Sequence, residues 1–362
     1  MELDPRCYVK RTVGQDLRTV DSAGDPMVDS ADGQRQNFAN WYSYYRTPLL
    51  VAKSGLGSAF ARLGPSARVG YAQTRETGTP SDGAVVRGIE IHKGESRSEF
   101  FAWLHGLKIS ADGSGSPLRQ AYDDVGRYFS REPEGNATSP WWSDPANPGG
   151  APRACRQAYQ VFVSDAVWEG DAVTGAAQGD VDSANPPPFG GLSPGGSLAD
   201  VARHYYLEDL VALDDSVTPN PFDKADWQHL VTFAVGLGLQ DGTVPADEAF
   251  TALAQYVEDP SSVSFGYTWP DPTAESAADE ARVDDFLHMA VNSHGGFVNL
   301  MVPDQLSDVL LNLVRVGAGR ATSAASVVLN AATLSGDLYL YQALFDSSFW
   351  SGQLKAYRIG AY

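Results

Sequence analysis

Apolar residues recur with a helical period in the first third of the chain. Phe38, Trp41, Tyr42, Tyr45, Leu49, Ala52, Leu56, Phe60 and Leu63 follow one another at spacings of three and four, up to Gly64-Pro65. That spacing predicts a helix from about Gln36 with one apolar face. Pro48 falls inside it and should kink or divide the helix, because its ring clashes with the preceding turn. Residues 1–34 are polar, Asp-rich and aperiodic, and read as an irregular extension. Ala67–Thr74 alternates apolar and polar as a strand does. A second strand is predicted over Ala84–His92, after a turn-rich gap at Gly78–Gly83. Helices are expected over Ser98–Leu107 and Pro117–Ser130.

The pattern changes at Ala158–Ser164, an unbroken apolar run of strand length rich in β-branched and aromatic residues. Such a run suits a strand covered on both faces, as in a parallel sheet. Trp227–Leu239 has the same character, so the two are expected to be adjacent and central. Ser197 should cap a helix running to about Leu213, with further helices over Asp247–Glu258, Glu280–Asn292 and Asp304–Val316 and a strand over Gly296–Val302. Strands alternating with helices from 36 to 316 predict an α/β fold, a mostly parallel sheet with helices on both faces. Two Pro- and Gly-rich stretches, Glu132–Pro152 and Gly170–Gly196, are long loop insertions. The first carries Trp141-Trp142, expected to be a packed anchor since exposed paired indoles are costly, and a glycosylation sequon at Asn136-Ala137-Thr138. From Ser323 the texture becomes purely β, with strands over Ser326–Asn330, Leu338–Phe345 and Gly352–Ile359.

Composition narrows the function classes. The chain has 362 residues, 43% hydrophobic and 20% charged, enough for one or two domains with a substantial core. Its net charge of −19 repels phosphate backbones and anionic lipid, which argues against nucleic acid and membrane surfaces as partners. No stretch approaches the roughly 20 apolar residues of a membrane span. The opening MELDPRCYVK has no apolar core of a signal peptide. Cys7 and Cys155 can be a disulfide or two free thiols.

The segment CRQAYQVFVSDAVW, from Cys155 to Trp168, resembles the Cys-Arg-Gln…Thr-Asp-Gly-x-Trp stretch of PilY-type type IV pilus biogenesis and tip-adhesin proteins. There it forms the fourth strand of a von Willebrand factor A (vWA) domain. RQNFANWYSYYRT (Arg35–Thr47), SPLRQAYDDVGRYF (Ser116–Phe129), SLADVARHYYLEDL (Ser197–Leu210), WQHLVTFAVGLGL (Trp227–Leu239), VDDFLHMAVNSHGGFV (Val283–Val298) and FWSGQLKAY (Phe349–Tyr357) extend the resemblance in the same order. It implies a vWA-like domain over 35–318, and over 319–362 the β-strand start of a truncated propeller. It also implies a pilus biogenesis and surface adhesion module at the cell surface or pilus tip, exported through the periplasm by a signal lying upstream. Minor pilins or other pilus components are the implied partners, with a host or surface ligand left open.

A vWA domain holds a divalent cation through Asp-x-Ser-x-Ser after its first strand, plus a Thr and an Asp from later loops. Asp165 matches that Asp, Ser116 stands in place of the Thr, and Ala166 replaces the Gly that usually follows the Asp. The first motif has no match: Asp214-Asp215-Ser216 and Asp346-Ser347-Ser348 stand in the wrong contexts. Asp165 and Ser116 are thus a degenerate metal-ion-dependent adhesion site, far short of the about six oxygens Mg²⁺ requires. No cofactor is expected, with at most weak Mg²⁺ or Ca²⁺ binding.

Other chemistry is sparse. Asp180-Val181-Asp182-Ser183-Ala184-Asn185 has the look of a calcium loop but lacks the Gly and Glu of an EF-hand, and reads as a solvated loop. His229 and His288 read as core histidines, and His294 sits at a helix end, where an imidazole meets free carbonyls. Asp123-Asp124 and Asp284-Asp285 lie on helices, where adjacent positions point apart. No nucleophile elbow, P-loop or His-Glu-x-x-His motif occurs. The expectation is a non-enzymatic contact module; the alternative is a hydrolase or small-molecule enzyme using Asp165 at a strand end.

Overall fold

The computed structural model describes residues 19–20, 26–27 and 31–300, except 65–66, 75–82, 109–115, 135–137, 143–149, 171–172 and 241, together with 327–329, 338–346 and 351–359. The predicted helix over 304–316, Cys7 and Asn136 of the sequon lie outside the described residues. Within the extension, β1 (Thr19–Val20) pairs antiparallel with β2 (Pro26–Met27), and α1 (Ala31–Tyr44) begins five residues earlier than its apolar pattern indicated. Pro48 divides the helix instead of bending it. It occupies the first turn of α2 (Pro48–Ala61), where its missing N–H costs nothing, and Thr47 Oγ1 accepts the Leu50 N–H as the N-cap. The apolar face of α1 is not buried: Phe38, Trp41, Tyr42 and Tyr44 are about half exposed.

β3 (Arg68–Ala72) and β4 (Val85–Ile91) form an antiparallel hairpin and lead into α3 (Gly94–Gly106) and α4 (Leu118–Phe129). The parallel sheet then follows: β5 (Ala158–Ser164), α5 (Leu198–Leu207), β6 (Leu230–Leu237), α6 (Ala246–Glu258), α7 (Asp279–Asn292) and β7 (Gly296–Leu300), in the order β5-β6-β7. At the C-terminal end, β8 (Val327–Leu329), β9 (Leu338–Asp346) and β10 (Ser351–Ile359) pair antiparallel with β9 in the middle.

Strands β5 and β6 are adjacent, as expected, but only β6 is central. Among the described residues β5 pairs with β6 alone and is an edge of its sheet. Its apolar run is explained by its two faces. Phe162 packs into the core shared with α4, α5 and α7, while Val161 and Val163 pack on the other side with Val51, Ala59 and Phe60 of α2 and Val69 of β3. Helices therefore cover both faces, and side-chain alternation carries no information on lateral pairing.

Helix α5 ends at Leu207, short of the expected Leu213. Glu208 turns extended, and Leu210 donates its N–H to Gln228 C=O at 2.9 Å, which buries Leu210 and Val211. The α4–α5 contact depends on Gly126, because a Cβ there would collide with the Tyr205 ring. The Trp pair is an anchor: Trp141 is buried and its Nε1–H donates to Phe129 C=O at 2.7 Å.

Candidate functional site

Asp165 follows the last residue of β5 and is exposed, at the carboxyl edge where open α/β sheets collect ligands. Its polar neighbour is Ser164, whose Oγ–H donates to Oδ1 at 3.4 Å. Ala166 is buried at φ 64°, a left-handed conformation that favours glycine, and its N–H donates to Ser164 Oγ at 3.1 Å. Ser116 is carried on a neighbouring loop, because Glu169 donates its N–H to Ser116 C=O at 3.0 Å. The loops that carry Asp165 and Ser116 thus touch.

The loop at 170–196 is more elaborate than a solvated insertion. Asp180, Ser183 and Ala184 face solvent, but Asp182 is buried, which corrects the expectation for this stretch. Asp182 Oδ2 accepts Asn292 Nδ2–H from the end of α7 at 2.7 Å. Ser197 and Asp200 form a capping box at the start of α5: Ser197 Oγ accepts the Asp200 N–H at 3.0 Å, and Asp200 Oδ2 accepts the Ser197 N–H at 3.1 Å. Asp200 Oδ1 also accepts the Val181 N–H at 2.9 Å, which fastens the loop to the helix. One oxygen from each of Asp180, Asp182 and Asp200 lies within 4.8 Å of the others, a grouping that excludes Asp165.

The acidic pairs on helices do point apart. Asp123 accepts from Tyr205 Oη–H at 2.6 Å and pairs with Arg127, while Asp124 accepts the Ala84 N–H at 3.0 Å. Asp284 accepts the N–H groups of Thr243 and Val244. Asp285 caps α5 from the side, taking the Leu198 and Ala199 N–H groups at 3.0 Å each and Trp168 Nε1–H at 2.7 Å. Burial raises the Asp285 pKa to about 6 against these three bonds, which lower it.

His229, His288 and His294 are structural. His229 Nε2 meets Asp223 Oδ2 at 2.8 Å and its Nδ1 meets Trp227 C=O at 2.7 Å, while Tyr206 Oη–H donates to Asp223 Oδ1 at 2.8 Å. Both imidazole nitrogens are engaged and the pair is inaccessible, so it cannot serve as a base for substrate. His288 stacks on Trp269 at 4.2 Å, and His294 on Tyr206 at 4.2 Å; burial pushes both imidazoles down to about 3. A depression beside the anchor is lined by Glu132, Trp142, Pro152 and Leu213 and pairs no nucleophile with a base.

The chain is 29% identical to type IV pilus biogenesis factor PilY1 of Pseudomonas aeruginosa strain PAK, over 98% of this chain and 33% of that protein. It is also 29% identical to the PilY1 proteins of strains PAO1 and UCBPP-PA14, over 90% of this chain and 30% of each. The chain spans about a third of the length of the curated relatives it matches. No protein-family model and no solved structure matches it. The PilY-type relationship indicated by the ordered segments is real, and it runs nearly the whole length of the chain.

Proposed function

We propose that this chain is a vWA-like module of a type IV pilus biogenesis protein, acting by protein–protein contact and adhesion at the cell surface and not by catalysis. The observation that carries the reading is the similarity to proteins named type IV pilus biogenesis factor over at least 90% of the chain. The three-stranded parallel sheet with helices on both faces supports the vWA-like part of it. Contact surface is present. The Phe38 ring lies 5.8 Å from Trp41 and 6.1 Å from Tyr42 on the exposed face of α1, an aromatic patch of the kind that marks protein contacts. Minor pilins or other pilus components are its partners in this reading. No helix among the described residues is long and apolar enough to cross a membrane.

The test is deletion of the gene followed by assays of surface pili, twitching and attachment. Loss of piliation or motility, restored by the intact gene, is the expected result. Normal piliation, motility and attachment would overturn the reading.

A further inference from the structure

Three carboxylates meet where the loop at 179–185 turns beneath the start of α5. Acidic groups gather on many surfaces without a ligand, but two independent features distinguish this cluster. Asp182 is 1% exposed, and its Oδ1 meets no hydrogen-bond partner among the described residues. Asn292 belongs to α7, is 0% exposed, and reaches the cluster through its Nδ2–H bond to Asp182 Oδ2. That same nitrogen donates to Ala199 C=O at 3.1 Å, and Asn292 Oδ1 finds no hydrogen-bond partner among the described residues. A buried oxygen left unmatched has given up its water for nothing and is unfavourable. Asp182 Oδ1, buried and unmatched in a group of three carboxylates, calls for a hard cation.

The cationic side chains described beside the cluster, His288 and Arg203, do not meet that need. His288 Nε2 lies 3.6 Å from Asp182 Oδ2, but it donates to Phe189 C=O at 2.6 Å, and its imidazole is held neutral by burial. Arg203 directs its fork at Asn185 Oδ1 (2.9 Å) and Asn292 C=O (3.3 Å), with its guanidinium 4.0 Å over the Phe189 ring. One positive charge faces three negative ones. Burial, followed by the charge of Asp200, pushes the Asp182 carboxyl up to about 7.

We propose that Asp180, Asp182 and Asp200 form a calcium site that closes the 170–196 loop onto α5. A carboxylate offers about four acceptor positions. Asp200 uses three of them, on the Val181 N–H, the Ser197 N–H and Ser197 Oγ–H. Asp182 uses one on Asn292, and Asp180 uses one on the Ser183 N–H. Each therefore keeps capacity for a metal. Ca²⁺ accepts six to eight oxygens at roughly 2.3–2.6 Å in flexible geometry and mixes carboxylates with water, whereas Mg²⁺ demands a tight octahedron. Asp182 and Asp200 are fixed by their hydrogen bonds and cannot be drawn inward, which favours the larger ion. Asp180 is exposed and leaves room for water. The bound ion ties the outer side of the loop to the helix and fixes the surface the loop presents.

The experiment uses the full chain, stripped with a chelator and titrated with CaCl₂ by calorimetry and by thermal melting. The expected result is saturable binding at a single site with a rise in melting temperature. Asp180→Ala, at an exposed position, should fold as wild type yet weaken Ca²⁺ binding at least about tenfold and reduce the melting shift, as should Asp182→Asn. Asp165→Ala should change neither. Absence of binding, wild-type affinity in Asp180→Ala, or loss of binding in Asp165→Ala would each overturn the proposal.

Discussion

Two acidic positions of this chain, Asp165 and Asp182, stand in opposite surroundings. Asp165 sits where an α/β sheet usually works, at the carboxyl end of a strand, yet it is exposed and its side chain takes a long 3.4 Å bond from the adjacent serine. Asp182 lies in a loop that looks solvated, yet it is buried among Asp180, Asp200 and Asn292, which arrive from the same loop and from two helices. A strand end supplies access and nothing more. A site also needs groups around it that fix its ligands, and the helix termini of α5 and α7 supply those at Asp182.

The largest expected effect sharpens the buried side of this contrast. Asp285→Ala strands two first-turn amides of α5 and the Trp168 indole N–H, so unfolding in urea should show a loss of about 4 kcal/mol. Next comes the acid limb of stability. Burial raises the Asp223 pKa, but the hydrogen bond and charge of His229 outweigh it and hold the group at about 2, below the 3.8 of an ordinary Asp. The folded state therefore binds this proton more weakly than the unfolded chain does. Its contribution of about 2 kcal/mol is full above pH 3.8 and lost as pH falls toward 2. Urea midpoints measured across that window should show a slope that Asp223→Asn removes. Trp141→Phe keeps the ring and loses the bond to Phe129 C=O, and should cost about 1 kcal/mol in the same assay. Asp165→Ala should fall within about 0.5 kcal/mol of wild type. A loss above 2 kcal/mol there would break the contrast, showing that the exposed edge is as built as the buried loop.

The parts of the fold that were legible in the sequence are those written in side-chain faces. The runs at Ala158–Ser164 and Trp227–Leu239 announce strands covered on both sides, and the structure covers β5 and β6 with α2 on one side and α4, α5 and α7 on the other. That β5 is an edge could not be read, because strand pairing uses backbone groups that every residue carries. The periodicity of Phe38, Trp41 and Tyr42 identified a helix face, and the structure leaves that face about half exposed, since a face is apolar for a partner as well as for a core. The buried acidic cluster was half visible. Asp180 and Asp182 have ligand spacing, but an EF-hand is read along one continuous loop, and here Asn292 is 110 residues from Asp182. The signal that was available is the pairing of Ser197 with Asp200 at capping-box spacing, which places a second carboxylate at the start of the helix.

The most direct measurement is an anomalous difference map from crystals of the chain grown with CaCl₂, recorded at long wavelength where calcium scatters anomalously. The account predicts a single peak among the carboxylates of Asp180, Asp182 and Asp200, with no peak beside Asp165 and Ser116. A peak at Asp165, or none at the buried cluster, would contradict it.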